Sequence, residues 1–288
     1  MQRWCGNWLP ILLTVSSWAC AAGSRPDPRV GRDLPGRIPA PVLTSSAGPW
    51  SFSPATGTRA YRISRNASIE EVTDSAVRRD AVSNFTHEIL TLEQAGEEMS
   101  FRAVVDTFAV ITQGAIEPAQ IVALPIQLTG SLGMAGVRME SPAPDSCDAV
   151  RATVATDIHN LLAPMPSQVS RGVVWRDVIT TYGCQAGIPT TAVTRRLFTV
   201  AGEVEHSGRP LLLVQRVDSV DARGEGAYGQ HRMKVEGTGT GTALYYLETA
   251  SGEVSQLTTN QRTRITVTTS GRLHSFTQTT NQDFVRVR

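Results

Sequence analysis

Histidines, adjacent carboxylates, two central cysteines and a glycine run are the parts of this chain that could do chemistry. The histidines are His87, His159, His206, His231 and His274. No two stand at metal-ligand spacing and no H-E-x-x-H occurs, so a zinc site is not indicated. His231 lies just before the glycine run, with Glu225 close in sequence. Glu70/Glu71 and Glu97/Glu98 are adjacent pairs. Neighbours on a strand point to opposite faces, so these pairs read as solvated rather than convergent. A hydrolase with two carboxylates far apart in sequence is the competing enzymatic class. No G-x-S-x-G elbow is present. Glu236-Gly237-Thr238-Gly239-Thr240-Gly241-Thr242 is not followed by Lys-Ser/Thr and a helix, as a phosphate loop requires. Its glycines alternate, so they share one face of a strand and let the sheet bend or another group approach. The chain therefore reads as non-enzymatic, with no catalytic residue, cofactor or metal assigned.

Cys147 and Cys184 are expected to form a structural disulfide. A metal or redox pair is the competing reading, but the spacing is far from C-x-x-C and no histidine stands beside either. Closing that loop is worth roughly 3–4 kcal/mol in the chain-entropy model. Cys5 and Cys20 lie in the leader.

Residues 1–22 have the layout of an export signal: Arg3, an apolar stretch from Trp8 to Trp18, then Ala19-Cys20-Ala21-Ala22. The apolar stretch is shorter than the ~20 residues needed to span a bilayer. Two processing routes fit. Cleavage after Ala21 or Ala22 releases a soluble protein, or Cys20 becomes a lipidated first residue and a membrane anchor. Residues 23–57 are rich in Pro, Gly, Ser and Arg and read as a disordered tether. The expected location is the bacterial periplasm, outer membrane or cell surface, with secretion as the alternative.

Residues 58–288 suit one β-rich domain. Apolar content of 41% is enough for a core. A net charge of +1 offers no field for nucleic acid. Lys234 is the only lysine, and the scattered arginines reflect codon bias rather than phosphate recognition. Asn66-Ala67-Ser68 and Asn84-Phe85-Thr86 match the glycosylation pattern but carry nothing in a bacterial host.

The elements that must position these residues are mostly strands. Met99, Phe101, Ala103, Val105, Ala109 and Ile111 are predicted on one face of a long strand, with Phe108 and Val110 on the other. Ala60–Arg65, Ser68–Arg78 and Asp80–Leu92 read as three strands. A short strand is expected over Ile121–Leu128, and further strands run from Val173 to Thr279. Ser270-Gly271 suits a hairpin turn. Val150, Val154, Ile158 and Leu161 share a helical face, capped by Asp145 or Ser146 and ended by Pro164. The fold class expected is mainly β: long antiparallel strands in a curved sheet or half-barrel with one packed helix.

Leu162-Ala163-Pro164-Met165-Pro166, Val169, Gly172, Val173, Val174 and Trp175, with Phe198-Thr199-Val200-Ala201-Gly202 downstream, carry a resemblance. They resemble the L-P-x-x-P-V-x-x-G-x-x-W turn of bacterial exported β proteins, which are akin to lipoprotein carriers of the LolA type. Ala163 between Leu162 and Pro164, Arg171 before Gly172, and the cysteine pair depart from that pattern. The resemblance implies a bent sheet around a helical plug, an apolar concavity for acyl chains, and no catalytic residues. A hydrophobic or lipid ligand is accordingly expected, with Phe101, Val105, Trp175, Leu244 and Tyr246 lining the concavity. The alternative is an interaction or structural protein with a filled core that binds another envelope component.

Overall fold

The computed structural model describes residues 41–287 except 53–54, 73–76, 96–97, 113–114, 119–123, 134–135, 140–146, 186, 207 and 229. The signal, Cys20 and most of the tether lie outside the described residues. The elements in chain order are β1 (Trp50–Ser51), β2 (Gly57–Val72), β3 (Val77–Ala95), β4 (Glu98–Thr112), β5 (Ala115–Pro118), β6 (Ile126–Gly133), β7 (Gly136–Met139) and α1 (Ala149–Leu161). Then follow β8 (Gln168–Val169), β9 (Val174–Gln185), β10 (Ile188–His206), β11 (Arg209–Tyr228), β12 (His231–Glu248), β13 (Val254–Thr269) and β14 (Arg272–Arg286).

One antiparallel sheet runs β7-β6-β4-β3-β2-β14-β13-β12-β11-β10-β9, with β5 branching from β4. β14 pairs with β2, so the last strand joins the two hairpin series. The path curls into a half-barrel around α1. The curl is visible in side-chain contacts: Asp157 of α1 meets Arg65 of β2, and Asn160 meets Arg216 of β11, four steps along the sheet. A flat sheet could not bring both to one helix.

Strands form where β-branched residues alternate with polar ones, and the turns obey local chemistry. Ser270 and Gly271 both have positive φ, 47° and 77°, in a two-residue hairpin closed by Thr269 and Arg272. This is the turn whose twist matches the flanking strands. Asn66-Ala67 holds no breaker, so the expected strand Ala60–Arg65 and the start of Ser68–Arg78 are one, β2, while Val77 and Arg78 begin β3.

The alternation expected in β4 changes face. The β3–β4 register slips between His87 and Glu88, leaving Asp106 as an extra residue between Val105 and Thr107. Such a bulge re-aims the strand. Phe101, Ala103 and Val105 point inward before it, and Phe108 and Val110 are buried after it.

α1 is buried on nearly every side rather than along one stripe. Val154, Ile158 and Leu161 join Tyr61, Leu90, Phe198 and Phe284 in the main core. Burial of each such side chain is worth roughly 1.5–3 kcal/mol. Asp148, not Asp145 or Ser146, caps the helix, its carboxylate accepting from the Arg151 N–H at 2.9 Å. Cys147 is bonded to Cys184 at the end of β9.

Part of the proline-rich stretch is docked onto the domain. The Thr44 N–H donates to the Glu203 carbonyl at 2.7 Å, Leu43 bridges Val204, and Trp50 pairs with Val169. Arg171 holds this segment through the Thr44 and Ser46 carbonyls.

Candidate ligand-binding groove

The two halves of α1 have different surroundings. Its C-terminal half is fastened by arginines from three strands. Arg65 donates to Asp157 at 2.6 Å, Arg196 donates to the His159 carbonyl at 2.9 Å, and Arg216 donates to Asn160 Oδ1 at 2.8 Å. Arg216 also bonds Asp218 and the Tyr245 hydroxyl, and Arg196 is paired with Asp177. Cations at this end complement the helix dipole.

The N-terminal half presents Ala149, Ala152, Thr153 and Thr156 to a groove of about 290 Å³. Part of the opposite wall is β12, where Gly237 contributes no side chain. Ala222 of β11 faces Gly237 across the sheet. Small residues on both walls make the space. The glycine column also permits close packing: a Cβ on Gly239 would stand 2.6 Å from Thr263 Oγ1 and 2.7 Å from the Arg262 carbonyl.

The groove is graded along its length by cross-strand layers. Thr259, Gln282, Arg65 and Asn84 face one another across β13, β14, β2 and β3. The next layers are Gln261 with Thr280, then Thr263 with Gln278. Beyond them come Ile265 with Phe276, and Val267 beside Val235. Amides and hydroxyls thus floor the inner end. An apolar cluster of Ile188, Met233, Val235, Ile265 and Val267 occupies the hairpin end.

Beneath the floor lies a buried acid pair. Glu88 is fully buried and neither carboxylate oxygen has a hydrogen-bond partner among the described residues. Burial, and then the charge of Asp157, hold its carboxyl well above the usual range. Burial also raises Asp157, against the pull of Arg65. A carboxyl whose folded pKa is raised contributes stability below its unfolded pKa, and that stability is lost as pH rises through the folded value. Glu88→Gln is therefore expected to gain on the wild type as pH rises from about 5, by about 1–3 kcal/mol at neutral pH. His159, pushed down to about 4 by burial and Arg196, works in the opposite sense below neutrality. The difference between the two proteins, measured as urea midpoints at several pH values, isolates Glu88. A constant difference would place the titration elsewhere.

None of the five residues expected to line a concavity borders this groove. Phe101 and Val105 are packed in the main core. Trp175 stacks on Phe198 at 5.0 Å and donates to the Pro164 carbonyl. Leu244 and Tyr246 point to the other face, where Tyr246 packs with Val204, Leu211 and Leu213. Ala243 and Tyr245 take the inner positions of that strand. The polar lining of the groove is mostly Thr and Gln, which hydropathy assigns to solvent.

A second cavity, about 270 Å³, lies between the edge strands β7 and β9 and is lined by Met139, His159, Asp177 and Arg196. Among the described residues no three His, Cys, Asp or Glu side chains converge as a metal site.

Some outward positions are charged, Lys234 and Glu236 on β12 and Arg262 and Arg264 on β13, while Val204, Leu211, Leu213 and Tyr246 form an apolar cluster on the same face.

No family model matches the chain, and no curated protein matches it. Among solved structures, Pseudomonas aeruginosa OccK2 (OpdF) aligns at 7% identity and a TM-score of 0.27, covering 81% of this chain and 100% of that one. Pseudomonas aeruginosa OpdL aligns at 6% identity and a TM-score of 0.24, covering 80% and 99%. Likeness at this level carries no functional information.

Proposed function

We propose that this chain is a non-enzymatic protein of the bacterial cell envelope that binds a hydrophobic or amphipathic ligand in the groove beneath α1. The leader directs export, and lipidation of Cys20 tethers the domain. The observation that carries the reading is the space itself. Small residues leave about 290 Å³ open beside the N-terminal half of α1, with apolar side chains as well as hydroxyls and amides in its walls. Pockets for small ligands begin near this size and combine apolar walls with a few placed polar groups.

Nile red, an uncharged apolar dye, tests it. Saturable binding is expected in the wild type. Gly237→Leu, which puts a side chain into the groove, is expected to weaken binding at least about tenfold. Its unfolding midpoint serves as a check on the fold. No saturable binding, or equal binding by a folded variant, would overturn the reading.

One observation favours a second reading, docking of another envelope protein. β9 is an edge strand, and on its outer face Val174 and Val178, with Val217 of β11, each keep more than half their surface in water. Exposed apolar residues at an open edge suit strand addition. A wild type that ignores Nile red but is captured through this edge would favour that account.

A further inference from the structure

We infer that the groove selects an uncharged amphiphile with a hydroxyl- or amide-bearing head, held with the head at the inner end and the tail towards the hairpin end. This rests on the ligand-binding reading and specifies its substrate class.

The first support is charge. Of the side chains lining the groove, only that of Arg65 is ionic. Its guanidinium is already taken by Asp157 at 2.6 Å and Asn84 at 3.1 Å. With the Gln282 amide turned so that its nitrogen donates to Thr259, the Gln282 oxygen accepts from Arg65 as well. Among the described residues lining the groove no free counter-charge awaits an ionic head, and burying an unpaired charge is costly.

The second support is hydrogen-bonding capacity. Gln261 donates to Thr263 at 3.1 Å and Gln278 donates to Thr280 at 3.3 Å. Each bond uses one of several positions that a glutamine amide offers. A plain hydrocarbon would leave the remaining hydrogen-bonding positions of Gln261 and Gln278 unused. A sugar, polyol or amide head would meet them.

The third support is order along the groove. Gln261, Thr263, Gln278 and Thr280 precede Ile265 and Val235 in the cross-strand layers, so head and tail have distinct places.

The test is calorimetric titration of the purified protein with three amphiphiles of equal tail, each below its micelle concentration: octyl glucoside, octanoate and octyltrimethylammonium. Octyl glucoside is expected to bind at least about tenfold tighter than either ion. Thr263→Val, which keeps shape and removes the hydroxyl, is expected to weaken octyl glucoside several-fold more than it changes Nile red binding. Equal binding of all three heads, or Nile red binding without octyl glucoside binding, would overturn the head-group assignment while the groove reading stands. Failure of Nile red and all three amphiphiles together would overturn the groove reading itself.

Discussion

Arg65→Met is expected to lower folding stability by about 3–5 kcal/mol. Arg65 is the sole cation bonded to Asp157 among the described residues, and the Asp157 side chain is wholly buried. One Asp157 oxygen already lacks a hydrogen-bond partner, and both oxygens of Glu88 lack one. Removing the guanidinium strands Asp157 beside a second buried carboxyl. Methionine keeps most of the side-chain volume, so the loss reports charge and hydrogen bonding rather than a cavity. Asn84 and Gln282, which share the same layer, lose their donor at the same time. The double variant Arg65→Met/Asp157→Leu should recover much of the loss, because a buried ion pair exchanged for apolar residues is often near neutral. Urea denaturation of wild type, single and double variants measures the cycle. A single-variant cost below about 1 kcal/mol would show that the helix is not held through this pair.

Opening the Cys147–Cys184 bond is the second large effect. A loop of 37 residues predicts a loss of about 3–4 kcal/mol when both cysteines are replaced by serine. The location makes the loss uneven. Three arginines fasten the C-terminal half of α1, whereas the N-terminal half rests on alanines, threonines and the disulfide. Hydrogen exchange should therefore quicken from Val150 to Val154 more than at Ile158 or in β13. Uniform loss of protection would mean that the bond acts on the unfolded chain alone. Because Cys184 lines the groove, the same variant also reports how far the helix end shapes that space.

The class of fold was legible because its signals are local. Period-two alternation, Ser270-Gly271 at a hairpin and the four-four-three spacing of Val150, Val154, Ile158 and Leu161 each need only near neighbours. Both cysteines could be paired on composition and export alone, and they are joined in the structure. The bulge at Asp106 was not legible, since a one-residue slip depends on the partner strand. It is the reason Phe108 and Val110 turn inward together with Val105.

The inside of the curl was decided only by tertiary structure. Sequence alternation separates two faces of a strand, but either face of β12 contains large apolar side chains: Tyr245 on one, Leu244 and Tyr246 on the other. Which one meets α1 depends on the direction in which eleven strands bend. Likewise Arg65, Arg196 and Arg216 look like solvated cations in the sequence. They are buried because the bend brings three distant strands to one helix end, where unpaired carbonyl and amide groups need donors. What the sequence by itself determined was a chain of long antiparallel strands with one helix and one disulfide. The curvature, and the groove lined by threonine and glutamine, arose from contacts between strands and a helix that lie apart in sequence, which no local pattern encodes.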